Sequence, residues 1–145
     1  MESTRVPNIN STVSRLGLGT FVWEGIDEKT LIPSIHRAIE MGINQFDTAP
    51  LYGFTLAEEI LGKAIKQSGK RDQLVISSKT GIGWKNNRAY RDARKETIFK
   101  EIDASFQSAF WAKDQDRKRR VESFLSPFSL FCNQRHPDVP GRWTV

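Results

Sequence analysis

Apolar positions along the chain recur with two different periods, and the change from one to the other predicts the elements. Residues 13–21 hold Val13, Leu16 and Leu18 among Gly17 and Gly19, which reads as a first buried strand ending in a tight approach. Over 27–41, Leu31, Ile35, Ala38 and Ile39 fall at helical spacing on one stripe. Asp27 and Glu28 suit the positive end of that helix, and Gly42 suits a left-handed C-terminal cap. Proline is tolerated cheaply only in a helix's first turn, so Pro33 places the regular start near Ile32. A short strand at 43–46 follows, then a helix over 55–66 whose inner face is Leu56, Ile60, Leu61, Ala64 and Ile65. Thr55 and Glu58 have capping-box spacing. Ser68 and Gly69 break this helix, Arg71 and Asp72 cap the approach, and the β-branched run 74–79 (LVISSK) suits a buried parallel strand. Residues 81–92 read as a long loop and 93–105 as a third helix, with Ile98, Ile102 and Ser105 in phase and Lys100 four residues after Glu96. The polar residues 1–12, with Pro7, read as a mobile lead-in.

The chain is organised around residues 42–53, GINQFDTAPLYG. A glycine closes a helix, a short strand follows, and Asp47 stands where that strand leaves the sheet. Tyr52 lies on the loop entering the next helix, so both side chains can point into one cleft. Lys79, at the end of the later strand, is expected level with Asp47. Taken singly, each has a plainer reading: Asp47 as a loop cap, Tyr52 as a half-buried packing aromatic, Lys79 as a solvated strand end. Together they sit at the ends of successive strands, on one edge of a sheet.

The run Asp47-Thr48-Ala49, two residues, Tyr52-Gly53, then Glu58-Glu59 and Leu61-Gly62, resembles the aldo-keto reductase family. Thr55 departs from it, standing where relatives commonly have a second glycine. The likeness continues through 91–105, RDARKETIFKEIDAS, and then stops. It implies an α/β fold, the N-terminal portion of a (β/α)8 TIM barrel, incomplete because a whole barrel needs roughly 250 residues. On that reading 1–12 is a flexible lead-in, 13–105 the first three to four β/α units, and 106–145 a tail outside the pattern. The resemblance implies NADPH-dependent reduction of a small carbonyl substrate to an alcohol. Tyr52 becomes the general acid, Lys79 the group that tunes it, and Asp47 the carboxylate that orients Lys79. A phenol's ordinary pKa is about 10, and a neighbouring ammonium favours its ionised form. Gly19, Thr20 and Phe21, with Asp47, become contacts of the cofactor's nicotinamide ribose side; the plainer reading of 19–21 is a glycine-softened strand end. No side chain supplies a hydride, so the cofactor must.

The family's substrate-orienting histidine has no matching position, since His136 lies in the tail, and the late-barrel loops that hold the cofactor's adenosine phosphate are not matched either. An impaired or inactive reductase fragment is therefore expected. The alternative is a non-catalytic interaction protein whose half-barrel associates with itself or a partner through exposed sheet edges.

Composition narrows this further. The chain of 145 residues, 38% hydrophobic and 27% charged, has the balance of a soluble globular domain. No apolar run approaches the ~18 residues of a membrane span, and residues 1–10 hold no signal-peptide core, so a cytoplasmic location is expected. Cys132 is the single cysteine, and His36 and His136 are too far apart for a local zinc motif, so neither a disulfide nor a metal site is expected. His36, one step off the apolar stripe, reads as a partly exposed helix residue. The net charge of +5 reads as a solvated surface, with a phosphorylated cofactor as the alternative. The tail carries seven Lys/Arg against four Asp/Glu and five of the nine phenylalanines, with no sustained period. Apolar content without periodicity does not specify packing, so disorder is one reading of it. Such a break is what a shifted reading frame or alternative exon produces, which the other two frames of the coding DNA after Ser105 would test. The basic run 117–120 (RKRR) is flanked by Asp114, Asp116 and Glu122, which argues against nucleic acid as its partner.

Overall fold

A computed structural model describes residues 1–6, 12–85 and 88–110. The expectations for the tail beyond 110, with His136, Cys132 and the 117–120 run, lie outside the described residues. In chain order the elements are β1 (Ser3–Arg5), β2 (Thr12–Ser14), β3 (Gly17–Gly19), α1 (Glu28–Glu40), β4 (Gln45–Asp47), α2 (Leu56–Ser68), β5 (Val75–Ser77), β6 (Ile82–Lys85), β7 (Arg88–Arg91) and α3 (Lys95–Ser105). A 3-10 turn at Tyr52–Thr55 precedes α2, another at Arg71–Gln73 precedes β5, and a π turn at Phe106–Phe110 continues α3.

Strands β3, β4 and β5 form a parallel sheet in that order, so α1 and α2 are the crossovers of two βαβ units. The register puts Leu18, Phe46 and Ile76 in one row and Gly19, Asp47 and Ser77 in the next. Leu31, Ile35 and Ile39 of α1 and Ala57, Ile60, Leu61, Ala64 and Ile65 of α2 close over Phe46, with Trp23 and Leu74 at the margins. Ile35, Phe46 and Leu61 are wholly buried, and each contributes about 1.5–3 kcal/mol by leaving water. The two helices are also tied by polar contacts: His36 Nε2 meets the Ala64 carbonyl at 2.9 Å, and Lys63 pairs with Glu28 at 2.7 Å.

Several elements differ from the sequence reading, each for a local reason. Helix α1 begins at Glu28, not near Ile32, because Asp27 caps it by accepting the Lys29 N–H at 2.9 Å, and Pro33 is carried inside the helix. The strand expected over 13–21 is split. Ser14 Oγ donates to the Leu16 carbonyl at 2.6 Å and turns the chain between β2 and β3, leaving Leu16 exposed. Within the stretch expected as a lead-in, residues 3–5 form β1, which pairs antiparallel with β2. Asn44 anchors that hairpin by accepting from Ser14 N at 2.7 Å and donating to the Thr12 carbonyl at 2.9 Å. In place of a long loop over 81–92, β6 and β7 form an antiparallel hairpin. Asp92 then organises the start of α3, accepting from Arg94 N at 3.1 Å, the Arg94 guanidinium at 2.6–3.1 Å and Thr97 Oγ1 at 2.9 Å.

The capping box predicted at the start of α2 does not form. Thr55 is left-handed at φ 77° with no side-chain capping bond; its hydroxyl reaches Glu59 at 3.4 Å, while Glu58 turns inward and is 2% exposed. Gly53, Phe54 and Thr55 are three successive residues with positive φ, of which only the first is glycine.

Candidate active site

The row Gly19, Asp47, Ser77 is the last of the parallel ladder at the C-terminal edge of the sheet. Backbone bonds from Thr20 N to the Asp47 carbonyl (3.0 Å) and from Thr48 N to the Ser77 carbonyl (2.9 Å) carry the alignment one residue further. Asp47 is therefore held between two strands, and its carboxylate receives Ser77 Oγ at 2.9 Å. Lys79 is not level with Asp47, as the sequence suggested, but two residues past the register partner Ser77. Its side chain bends back, placing Nζ 2.7 and 2.9 Å from the two Asp47 carboxylate oxygens and 3.1 Å from the Thr48 carbonyl.

Tyr52 enters from the loop after β4, its N–H bonded to the Ala49 carbonyl at 3.0 Å. Lys79 Nζ lies 4.9 Å from the centre of its ring. The three residues singled out at strand and loop ends are thus brought into one constellation. Burial, the largest influence on the Lys79 amine, lowers its pKa; hydrogen bonding to Asp47 and Tyr52, and their charges, outweigh this and hold it above the ordinary lysine value. The ion pair stays about half exposed on both sides, at 50% for Lys79 and 46% for Asp47.

On the cofactor side the four expected contacts divide. A Cβ built on Gly19 meets nothing within 4 Å, so the strand end is open there. Phe21 is 67% exposed and meets the Tyr52 ring edge-on at 5.1 Å. Thr20 is wholly buried, and its polar groups are engaged within the chain: Oγ1 donates to Thr48 Oγ1 at 2.9 Å, N–H bonds to Asp47, and the carbonyl accepts from Trp23 N. It braces the strand end instead of offering its hydroxyl outward. An open strand end, an exposed aromatic face and a half-exposed carboxylate, an acceptor for hydroxyl donors, therefore stand at this edge of the sheet.

Two contributors went unread in the sequence. Ser77 lies two residues before Lys79, hence on the same side of an extended chain, but linking it to Asp47 requires the strand register. Glu58 was read as a cap, because spacing along a helix does not reveal which neighbour closes over it.

An open parallel α/β sheet whose catalytic-type residues cluster at the C-terminal strand ends defines the class: part of a (β/α)8 barrel of enzyme type. Residues 15–109 match the pattern of the Aldo/keto reductase family, and the chain belongs to that family, whose oxidoreductases work with a nicotinamide cofactor. The chain is 46% identical over 112 residues to the aldo-keto reductase YhdN of Bacillus subtilis, covering 74% of this chain and 34% of that protein. Similarity to the NADH-specific methylglyoxal reductase of Escherichia coli is 36% identity over 113 residues, 66% of this chain and 34% of that one. Among solved structures, the glycerol dehydrogenase AKR11B4 from Gluconobacter oxydans superposes with a TM-score of 0.63 at 35% identity, covering 73% of this chain and 35% of that chain. The chain spans about a third of the length of the curated relatives it matches. Among the described residues no helix is long and apolar enough to cross a membrane.

Proposed function

We propose that the chain carries the proton-donating side of a carbonyl reductase site and the ribose-side contacts of NADPH. The observation that supports this most directly is the single Lys79 ammonium shared between Asp47 and Tyr52. When bound, the cofactor supplies the hydride to the carbonyl carbon. Tyr52 gives its phenolic proton to the carbonyl oxygen, Lys79 stabilises the phenolate that remains, and Asp47 holds Lys79 charged and aimed. Gly19, Phe21 and Asp47 face the cofactor, while Thr20 keeps the strand end rigid.

Slow turnover by this chain belongs to the same proposal. Among the described residues the only histidine, His36, is engaged between α1 and α2, and none stands at the site to orient a carbonyl. A small carbonyl compound as substrate and a cytoplasmic location complete the reading.

The test is titration of the folded 145-residue chain with NADPH and, separately, NADH, followed by quenching of tryptophan fluorescence; Trp23 is buried two residues from Phe21. Saturable binding that is tighter for NADPH and weakened at least about tenfold in Asp47→Ala, which removes a charged hydrogen-bond acceptor, is the expected result. Tighter NADH binding would overturn the cofactor preference. A folded chain that binds neither, and that co-purifies with itself or another protein, would replace this reading with the interaction protein.

A further inference from the structure

The parallel ladder ends at Ser77, so no strand pairing holds the backbone that carries Lys79. Lys79 nevertheless reaches Asp47 with both carboxylate oxygens inside hydrogen-bond distance. Something must fix the chain between the ladder and the lysine.

Side chains of an extended segment alternate, and here the partners show it. Ser77 and Lys79 go to Asp47, while Ser78 between them goes the other way, to Glu58. Glu58 is the third residue of α2, the helix entered directly from the Tyr52 turn. Its Oε1 receives Ser78 Oγ at 2.6 Å; Ser105 Oγ, at the end of α3, lies 3.1 Å from both carboxylate oxygens; and Ser108 Oγ, in the π turn, is 3.2 Å from Oε2. The two carboxylate oxygens have acceptor sites enough for all three hydroxyls. Its position in the first turn of α2 adds the favourable end of the helix dipole.

We propose that Glu58 is a positioning residue for the site: with Ser105 at the end of α3 against its carboxylate, it accepts Ser78 Oγ, pins the segment before Lys79 to α2 and α3, and thereby sets the Lys79 ammonium against Asp47 and Tyr52. The inference deepens the proposed function and takes its catalytic meaning from it. Of the three serines only Ser78 leads to Lys79, which separates positioning from general stability. Ser108→Ala removes a bond from the same carboxylate without touching the lysine's segment.

The experiment is a titration of the Lys79 side chain by NMR, reading the Cε resonance in the full chain labelled with carbon-13 lysine and assigned by its loss in Lys79→Arg. Circular dichroism on each sample shows that it is folded. Ser78→Ala and Glu58→Gln are expected to shift the Lys79 midpoint downward toward that of an ordinary lysine, as its hold on Asp47 and Tyr52 loosens, and Ser108→Ala to leave it in place. An unmoved midpoint in folded Ser78→Ala overturns the proposal, and so does an equal shift in Ser108→Ala. If Glu58→Gln does not fold, Ser78→Ala against Ser108→Ala decides alone. The readout needs no cofactor, so a wild-type chain that fails to bind NADPH or NADH overturns the proposed function and leaves this result readable.

Discussion

Two carboxylates flank the end of β5 and are held by opposite means. Asp47 lies about half exposed and is paired with an ammonium, whereas Glu58 is sealed from water among neutral hydroxyls. Water screens the first pair, so its worth to the fold is small, about 0–1 kcal/mol, and its charge stays accessible to a ligand. The second has no water to fall back on, so each hydroxyl bond it accepts is needed. The comparison teaches a division of labour: the exposed acid is free for chemistry because the buried one does the holding.

The largest effect should come from removing the buried acid. Glu58→Ala leaves a cavity and deprives Ser78 and Ser105 of their acceptor, while Ser108 keeps the Ala104 carbonyl at 3.1 Å, so a loss of about 2–4 kcal/mol in urea unfolding is expected; a loss below about 1 kcal/mol would mean that the two serines find other partners. Next is the backbone contact beside it. A Cβ on Gly62 of α2 would lie 1.8 Å from the Ser108 carbonyl oxygen, so Gly62→Ala must push α2 and the π turn apart. The expected cost is about 1–3 kcal/mol, more than the ~1 kcal/mol gained from alanine's helix propensity. Thermal unfolding measures it, and a raised Tm would show that the two segments part freely.

On the exposed side, Asp47→Asn should change stability by no more than about 1 kcal/mol while bringing the Lys79 midpoint down. A loss of stability rivalling that of Glu58→Ala would erase the contrast. Between site and helix, Thr55 is a β-branched residue in left-handed backbone at φ 77°, a conformation costing non-glycine residues about 1–2 kcal/mol. Thr55→Gly relieves this but adds freedom to the unfolded chain, about 0.5–1 kcal/mol. A net gain of up to about 1 kcal/mol follows, measured as a raised Tm with Tyr52 undisturbed.

The smallest effect concerns acid. The Arg94 guanidinium and N–H hold the Asp92 carboxyl well below the ordinary carboxylate range. A depressed folded-state pKa gives stability that is complete above the unfolded value, about 3.9, and is lost as pH falls below it. The wild-type chain should therefore lose stability relative to Asp92→Asn only below about pH 4, which paired urea titrations at pH 6 and pH 3 would show.

Much of the fold was legible from period alone. The buried stripe of α1 is the one its spacing marked, Leu31, Ile35, Ala38 and Ile39, because a helix repeats every 3.6 residues whatever it packs against. Helix α2 likewise buries Ile60, Leu61, Ala64 and Ile65 as expected, but leaves Leu56, also placed on its inner face, exposed. The hairpin of β6 and β7 was missed because pairing between strands is non-local and Gly81 to Asp92 has no strict alternation. The site divided in the same way: Asp47, Tyr52 and Lys79 could be named because each ends or follows a recognisable element.

By itself, then, the sequence determined the buried stripes of α1 and α2 and which polar groups stand at or just past the ends of β4 and β5, since these depend on neighbours within a few residues. Tertiary structure decided what faces what. The register set Ser77 against Asp47, the bend beyond the ladder brought Lys79 back two residues, and the closure of the end of α3 and its π turn over α2 turned Glu58 from an apparent helix cap into a buried acceptor. Those outcomes join residues twenty to fifty positions apart, from Ser78 with Glu58 to Ser108 with Glu58. A contact at such separation exists only once intervening helices have packed, and no local pattern encodes it.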